Sequence, residues 1–413
     1  MKRLIYIAIA IITVACTKNV ITTPPTPPKP DTTPQTTLMY MTGTDLSYFF
    51  GQNISAAKRA ISSGALGYGR FLVFKHTSPR TATLYELKQS GDSCVQESIK
   101  EYSDITSLST RAIELVLNDI KSVAPADSYN IIFSGHGTGW VLKEQKPSTW
   151  SYGSTPRPAS IWEQDYSNLE LVTRYMGSNN DGYLDISELR SAFDVADAHF
   201  GYILFDECFM SSIEVLFELR KHADYIVASP CEIMGNGFPY DKVLPHLFTD
   251  YGKKYDLQKV CEEFYEYYSA YSFPSGCIAL TDCSELESLA NITREVNRIA
   301  RDNDIKVDTS SLQVYERLNK HIFYDMGQYT LELCADDEDL RTRYNEAFDK
   351  AFPVECRLHT DRFFANIGPS ASSDNDYEAY YTPILYYSGI STSAPSLSFR
   401  EDWEQTLWAK ATK

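Results

Sequence analysis

The amino-acid sequence predicts an α/β fold built on a buried, mainly parallel sheet. Two runs of strand length are wholly apolar: Ile131–Phe133 within N-I-I-F-S-G-H-G-T-G-W, and Tyr202–Phe205 within G-Y-I-L-F-D-E-C-F-M-S-S-I-E. Short continuous apolar runs are typical of strands that are covered on both faces. A helical pattern, Phe209–Leu219, follows the second run. We therefore expect both runs to be interior strands, with the second one leading into a helix.

Each apolar run ends in a residue with reactive chemistry. His136 follows the first run, between Gly135 and Gly137, and Cys208 follows the second. Because ligands gather at the carboxyl ends of strands in open parallel sheets, the histidine and the cysteine are expected to meet at one sheet edge. An imidazole there can accept the thiol proton, and the thiolate is a strong nucleophile. Taken singly, each residue is more often a loop histidine or a buried core cysteine.

Backbone amides beside Cys208 are predicted to stabilise a developing negative charge. The N–H groups of Gly137 and Cys208 would form an oxyanion hole. Gly137 and Gly139 lack side chains, so a substrate backbone can approach them closely. Cys208 is also predicted to stand at the N-terminus of the helical run Phe209–Leu219, where the helix dipole favours a thiolate.

These stretches resemble the clostripain-like cysteine peptidases, which are relatives of legumain, gingipains and caspases. That family has one strand ending in His-Gly and another ending in Asp-x-Cys-x-Met, to which Phe133–Trp140 and Phe205–Met210 are similar. Three further stretches resemble the first strand with its Asp-containing turn, the Gly-x-Gly-aromatic loop, and the closing strand and Trp-bearing helix. They are Leu38–Leu46, Ile226–Tyr240 and Leu397–Leu407.

The resemblance implies a caspase-like fold, with a mainly parallel sheet, helices on both faces and a mixed C-terminal region. It implies a cysteine endopeptidase that acts on proteins or peptides through a thioester intermediate. His136 and Cys208 would be the catalytic dyad, with no required third member and no required cofactor. The alternative is a non-catalytic peptide- or glycan-binding lipoprotein on the same scaffold, using the tyrosine-rich segment 374–390.

The resemblance also implies a specificity pocket for the residue before the scissile bond. Asp206 shares its side of the strand with Cys208, and that position lies by the pocket in the family. Asn236 stands in the Gly-x-Gly loop, where an acidic residue often completes a pocket for Arg or Lys, so Asp206 alone would select these residues. Capping of backbone N–H groups is the alternative role for Asp206. Asp45 is a further candidate for the cleft, or a turn-forming residue.

The N-terminus has the pattern of an export signal. Lys2 and Arg3 precede the apolar run Leu4–Val14, which is shorter than the roughly 20 residues of a membrane-spanning helix. Small residues before Cys16 resemble a bacterial lipoprotein signal, so residues 1–15 would be removed and Cys16 would be lipidated. Ordinary cleavage or a plain signal anchor is the alternative. We expect an exported protein in the bacterial cell envelope, facing the periplasm or exposed on the surface.

The chain is expected to have three parts after the signal peptide. Residues 16–37 are predicted to be a tether, because their prolines favour extended polyproline II structure. Residues 38–250 would form the catalytic core, and residues 251–413 a helical and strand region packed on it or completing it. Helices are predicted at 254–272, 284–303 and 312–320. The net charge of −17 argues against a nucleic-acid partner.

One stretch between the two catalytic strands resembles a calcium loop. In S-N-N-D-G-Y-L-D-I-S-E-L, the residues at loop positions three, five and twelve are Asn179, Asp181 and Glu188. Gly177 stands where the first aspartate belongs, and a turn before a helix at Ile186–Val195 explains the same residues. Calcium is therefore one of two interpretations.

Self-cleavage and disulfide formation are further expectations. In the family, the segment between the catalytic strands holds a self-cleavage site, for which Lys143 and Lys146 are the candidates here. Cys261, Cys277 and Cys283 lie near one another in the sequence. They would be either partners in a disulfide in an oxidising compartment or buried free thiols.

Overall fold

A computed structural model describes residues 33–78, 80–105, 108–142, 172–174, 184–248, 255–369 and 377–413. Several predictions concern residues outside these ranges: the signal peptide, lipidation, most of the tether, both lysine cleavage candidates and two of the calcium candidates. The positions concerned are 1–32, Cys16, Lys143, Lys146, Asn179 and Asp181.

The described strands form one large sheet and two small ones. In the large sheet the order is β10-β8-β7-β6-β5-β1-β2-β3-β4. In chain order the strands are β1 (Thr33–Met41), β2 (Arg70–Ser78), β3 (Thr81–Ser90), β4 (Ser93–Ser103), β5 (Ala126–Ser134), β6 (Phe200–Asp206), β7 (Ala223–Ala228), β8 (Cys277–Asp282), β9 (Tyr324–Asp325), β10 (Leu358–His359), β11 (Arg362–Phe364), β12 (Tyr381–Pro383) and β13 (Ser391–Thr392).

The centre of the large sheet is parallel. Strand β5 lies between β1 and β6, and β2, β1, β5, β6 and β7 all run in the same direction. Antiparallel pairs, β2–β3–β4 and β7–β8–β10, extend the sheet at its two ends. Every residue of β6 is buried, as its apolar sequence predicts for a strand covered on both faces. The predicted α/β class with a mainly parallel sheet is confirmed.

Helices cover the two faces of the sheet, with α1, α5 and α6 packed together in one group and α2, α3, α4 and α11 in another. Helices α3, α6 and α7 confirm three predicted helices. The described α-helices are α1 (Ser47–Ser62), α2 (Thr110–Val123), α3 (Ile186–Val195), α4 (Ile213–Leu219), α5 (Tyr240–Leu247), α6 (Leu257–Ser269), α7 (Leu286–Asp302), α8 (Met326–Leu333), α9 (Glu338–Ala351), α10 (Arg400–Trp403) and α11 (Leu407–Thr412).

The helix predicted to start beside Cys208 starts later. Phe209 adopts a left-handed backbone conformation, with φ of 63°. The N–H groups of Phe209 and Ser211 then donate to the carbonyls of Cys231 and Ser229, at 3.1 and 2.9 Å. Helix α4 therefore begins only at Ile213. The prediction that a helix N-terminus supports the thiolate is wrong, because a short loop separates the cysteine from the helix.

Two other boundaries differ from the sequence-based expectation. Strand β1 begins at Thr33, inside the predicted tether, because Thr33 and Gln35 pair with Ala126 and Ser128 of β5. The side chain of Gln35 also donates to the carbonyl of Leu247 at 2.7 Å. The helix predicted at 312–320 is absent from the structure, which describes all of these residues. The chain instead folds around the buried carboxylate of Glu316, which accepts the backbone N–H groups of Leu318 and Ile322 from the loop that follows it.

All eight cysteines in the described part of the chain are free thiols. Cys261 lies beside Cys356 rather than beside Cys277 or Cys283. Cys261, Cys277 and Cys283 were expected to be either partners in a disulfide or buried free thiols, and in the structure they are buried free thiols.

Candidate active site

Strands β5 and β6 bring His136 and Cys208 to the same edge of the sheet. Their register pairs Ser134 with Asp206, and each catalytic candidate lies two residues beyond its member of that pair. The two loops touch at Gly137, where a Cβ atom would lie 2.3 Å from the carbonyl oxygen of Cys208 and 2.9 Å from its nitrogen. Only glycine allows this contact, so any side chain at position 137 would push the two loops apart.

The imidazole of His136 is held by Asp45. The Nε2 atom lies 3.0 Å from Oδ2 of Asp45, in the 3₁₀ turn Thr44–Leu46 that follows β1. The Nδ1 atom is buried and has no hydrogen-bond partner among the described residues. When Nε2–H donates to the carboxylate, Nδ1 of the neutral ring carries the lone pair that can accept a thiol proton. Asp45 was expected to line the cleft, and it contacts the imidazole of His136. The resemblance had implied a dyad with no required third member.

The thiol of Cys208 is fully buried. Its sulfur accepts a hydrogen bond from the N–H of Ile233 at 3.2 Å. Burial raises the pKa of this thiol well above its usual value, and the nearby Glu232 carboxylate raises it further. Both effects favour the thiol over the thiolate, which is the reactive form.

A short segment of the chain lies in the cleft as an added strand. In this inserted segment, Val172–Arg174, the N–H of Arg174 donates to the carbonyl of Ile233 at 2.7 Å, and the carbonyl of Val172 accepts the N–H of Gly235 at 2.6 Å. Thr173 pairs with Met234 between these two hydrogen bonds. This antiparallel pairing is the way in which an extended peptide adds to an exposed strand edge.

The carbonyl group of Arg174 lies at the predicted oxyanion hole. It accepts the N–H of Gly137 at 3.1 Å. The other predicted donor, the N–H of Cys208, makes no hydrogen bond to any described residue. The inserted segment therefore presents a peptide carbonyl to one of the two amides that were predicted to hold an oxyanion.

The side chain of Arg174 fills a closed pocket and is fully buried. Its Nη1 atom lies 2.8 Å from Oδ2 of Asp206 and 2.6 Å from Oγ of Ser134. Its Nη2 atom donates to Oδ1 of Asn53 at 2.7 Å, and its Nε atom donates to the carbonyl of Gly235 at 3.1 Å. Each guanidinium nitrogen thus has an acceptor, and we call these four residues the arginine pocket.

Asp206 gives the arginine pocket its negative charge. Burial raises the pKa of its carboxyl group, while the Arg174 guanidinium and the hydroxyls of Tyr240 and Ser134 oppose that rise. The Tyr240 hydroxyl donates to Oδ2 at 2.8 Å. A buried carboxylate is costly without a nearby cation, and here the Arg174 guanidinium supplies the positive charge.

Asn236, a pocket candidate from its place in the Gly-x-Gly loop, contacts the arginine pocket through its backbone. Its side chain donates to the hydroxyl of Tyr271 at 2.8 Å, and its carbonyl accepts the Nδ2 group of Asn53 at 2.7 Å. It therefore helps to orient Asn53 through its backbone rather than lining the pocket with its side chain. Gly237 closes the same loop with φ of 63°, and a Cβ atom there would lie 2.3 Å from Nη2 of Arg174.

Glu188, one of the calcium candidates, forms part of a helix cap. Its carboxylate accepts the N–H of Asp185 at 3.0 Å, in a capping box that begins α3. This contact agrees with the second interpretation of the motif, a turn that precedes a helix. Within the described ranges, no cluster of three or more His, Cys, Asp or Glu residues is placed to hold a metal ion.

Sequence reasoning missed several residues of this site. Arg174 and Ile233 carry no local motif, since their roles arise from pairing between segments that are far apart in the chain. Asn53 did carry a signal, because it is a polar residue on the apolar face of α1 and is buried beside Phe49 and Phe50. A buried amide on such a face needs partners, and here it has the Asn236 carbonyl and the Arg174 guanidinium.

The profile of the clostripain peptidase family matches residues 159–382, just over half of the chain. This chain belongs to the clostripain family. It is a cysteine peptidase with a caspase-like fold, as the resemblance of its motifs implied.

No curated protein matches the sequence. Within the described residues, none of the helices of this clostripain-family peptidase has the length and apolar character needed to cross a membrane.

Solved structures of clostripain-family peptidases agree over nearly the whole chain. Iotapain, a secreted C11 cysteine protease from Bacteroides thetaiotaomicron, is 33% identical, with a TM-score of 0.78 over 93% of this chain and 100% of its own. An inactive zymogen of a C11 protease from Parabacteroides distasonis is 28% identical, with a TM-score of 0.73 over 93% and 99%. A second secreted Bacteroides thetaiotaomicron protease, bound to an irreversible peptide inhibitor, is 26% identical, with a TM-score of 0.71 over 92% and 99%.

Proposed function

We propose that this peptidase is an endopeptidase that cleaves peptide bonds after arginine, using His136 and Cys208. One observation carries the proposal: the inserted segment lies in the cleft as a bound substrate would. Arg174 fills a buried pocket of matching charge, and its carbonyl accepts the N–H of Gly137 directly beside the Cys208 backbone. The same arrangement of a substrate arginine would present its carbonyl carbon to the sulfur.

The chemistry follows from the positions of these groups. Nδ1 of His136 takes the proton of the Cys208 thiol, and the sulfur forms a bond to the substrate carbonyl carbon. The amides of Gly137 and Cys208 hold the resulting oxyanion. The carbon–nitrogen bond then breaks, the leaving amine takes the proton from His136, and a thioester remains. Water then attacks the thioester carbon and gives a proton to the imidazole of His136. The carbon–sulfur bond breaks, the sulfur takes that proton back to restore the thiol, and the product leaves with a new C-terminal carboxyl group.

Arginine is expected to be preferred over lysine before the scissile bond. The arginine pocket supplies acceptors for Nε, Nη1 and Nη2 in three different directions. A lysine has one compact ammonium group, which cannot reach Asn53, Asp206 and the Gly235 carbonyl together. Leaving one buried acceptor unmatched costs about 1.5–3 kcal/mol, which corresponds to a preference of about tenfold to hundredfold.

The uncleaved chain is proposed to be latent. Arg174 occupies the pocket, the Gly137 amide is engaged, and burial raises the pKa of the Cys208 thiol. An external substrate cannot bind until the inserted segment leaves. We propose that cleavage after Arg174 releases it, and not cleavage after Lys143 or Lys146.

The activity is tested with peptides that differ only in the residue before the scissile bond. Arginine, lysine, citrulline and alanine peptides are incubated with the wild-type protein, Cys208→Ala and His136→Ala. We expect hydrolysis of the arginine peptide by the wild type, at least tenfold weaker hydrolysis of the lysine peptide, and none by either variant. Equal rates on arginine and citrulline, or activity that survives Cys208→Ala, would contradict the proposal. Family membership favours this peptidase over the non-catalytic binding protein considered as the alternative.

We further propose that the protein is exported and anchored by a lipid on Cys16. The apolar run before Cys16 supports this, and two relatives are described as secreted. Labelling of bacteria with a fatty-acid analogue should mark the wild-type protein and not Cys16→Ser. Absence of label from both would contradict the anchor.

A further inference from the structure

We propose that Glu232 forms a second specificity site, which selects a hydroxyl-bearing residue, threonine or serine, directly before the arginine. The inference rests on the proposed function, because it treats the inserted segment as the image of a bound substrate. In that segment Thr173 precedes Arg174 and is fully buried in the cleft.

The hydroxyl of Thr173 is engaged as both donor and acceptor. It donates to Oε2 of Glu232, and it accepts from Nδ2 of Asn366 at 3.4 Å. A hydroxyl group can fill both roles at once, whereas a methyl group fills neither. The site therefore recognises chemistry and not only volume.

Glu232 is fixed in place by the backbone of a distant loop. Its Oε1 atom accepts the N–H of Ile367 at 2.8 Å, and its Oε2 atom accepts the N–H of Asn366 at 3.0 Å. The residue is fully buried, so the carboxylate cannot turn to water when the ligand hydroxyl is missing. Burial raises the pKa of Glu232 to about 7, and the hydrogen bonds from Thr173, Ile367 and Asn366 oppose that rise.

The position of Glu232 connects this second site with the chemistry. It directly precedes Ile233, whose carbonyl accepts the N–H of Arg174 and whose N–H donates to the Cys208 sulfur. A residue that seats well against Glu232 thus sets the register of the strand that carries the arginine. Poor seating should lower the rate after arginine, in addition to weakening binding.

The inference predicts a large effect of a small change in the substrate. Valine has nearly the shape of threonine, but it has no hydroxyl group. It can neither donate a hydrogen bond to the Glu232 carboxylate nor accept one from the Asn366 amide. Such an unmatched buried group lowers kcat/KM by about tenfold to hundredfold. Serine keeps the hydroxyl, so we expect it to lie close to threonine.

The test uses activated enzyme and four peptides with arginine before the scissile bond and threonine, serine, valine or alanine before the arginine. We expect threonine and serine to exceed valine at least tenfold in kcat/KM. In Glu232→Gln the ratio of threonine to valine should fall toward one, while the ratio of arginine to lysine stays unchanged. Thermal melting of Glu232→Gln checks that the variant is folded.

A second measurement uses the inserted segment of the chain itself and leaves Glu232 and the arginine pocket unchanged. Thr173→Val should slow self-cleavage after Arg174 about tenfold or more, and Thr173→Ser should not. Cleavage after arginine with equal rates for threonine and valine would overturn this inference and leave the proposed function standing. Failure to cleave after arginine at all would remove both.

Discussion

Removal of the negative charge from the arginine pocket should destabilise the uncleaved chain. In the active enzyme it should abolish the preference for arginine before the scissile bond. Asp206→Asn keeps the size of the side chain but leaves the Arg174 guanidinium without its counter-ion. The two groups are 2.8 Å apart, and neither is exposed. Breaking a buried pair by removing one partner costs about 3–5 kcal/mol, because the remaining charge is buried and unpaired.

The assay is urea unfolding in a Cys208→Ala background, which prevents self-cleavage. Asp206→Asn should lower the free energy of unfolding by about 3–5 kcal/mol. The matched control is Asp241→Asn, which removes an ion pair of the same 2.8 Å length between side chains that are 39% and 63% exposed. An exposed pair is worth about 1 kcal/mol or less. Equal effects of the two substitutions, or an undiminished rate of the Asp206→Asn enzyme on arginine peptides, would refute the reasoning.

Three further predictions concern the groups around the sulfur. Iodoacetamide at pH 8 should alkylate Cys208 slowly in uncleaved His136→Ala protein and much faster after removal of the inserted segment by an added protease, because burial raises the pKa of the thiol; equal rates, measured by mass spectrometry, would contradict this. Asp45→Asn should lower kcat about tenfold to hundredfold with little change in KM, since Asp45 orients the imidazole; an unchanged kcat would show that the carboxylate is dispensable. Burial raises the pKa of Glu207 to about 8, whereas the pKa of a glutamate in the unfolded chain is about 4.3. Its favourable contribution to the free energy of unfolding is therefore complete below about pH 4.3 and is lost as the pH rises to about 8. Glu207→Gln should therefore stabilise the chain by about 3–5 kcal/mol more at pH 9 than at pH 4 in urea unfolding, and equal effects at both pH values would exclude that ionisation.

The catalytic strands could be predicted from sequence because their signals are local. Ile131–Phe133 and Tyr202–Phe205 are apolar on both faces, and the reactive residues follow directly. Parallel strands then bring their carboxyl ends to one edge, whatever the rest of the chain does. The identity of the strands and the edge at which His136 and Cys208 lie follow from these two runs alone.

The boundaries and the occupant of the cleft depend on contacts between distant segments. Gln35 belongs to a strand because it pairs with Ser128 of β5, nearly one hundred residues later, and a Thr- and Pro-rich sequence gives no sign of that partner. The left-handed conformation of Phe209 likewise depends on the Cys231 carbonyl that its N–H meets. Nothing local distinguishes Arg174 from other arginines, since the acceptors for its guanidinium come from four separate parts of the fold.

The most direct test of the account is the mass of the fragments that the purified wild-type chain forms by itself. We predict one break, leaving Arg174 as a new C-terminus, together with the appearance of activity on arginine peptides. Cys208→Ala should stay intact, because it lacks the sulfur that lies beside the Arg174 carbonyl in its own cleft. A break at another residue that accompanies activation, with the bond after Arg174 intact, would contradict the account.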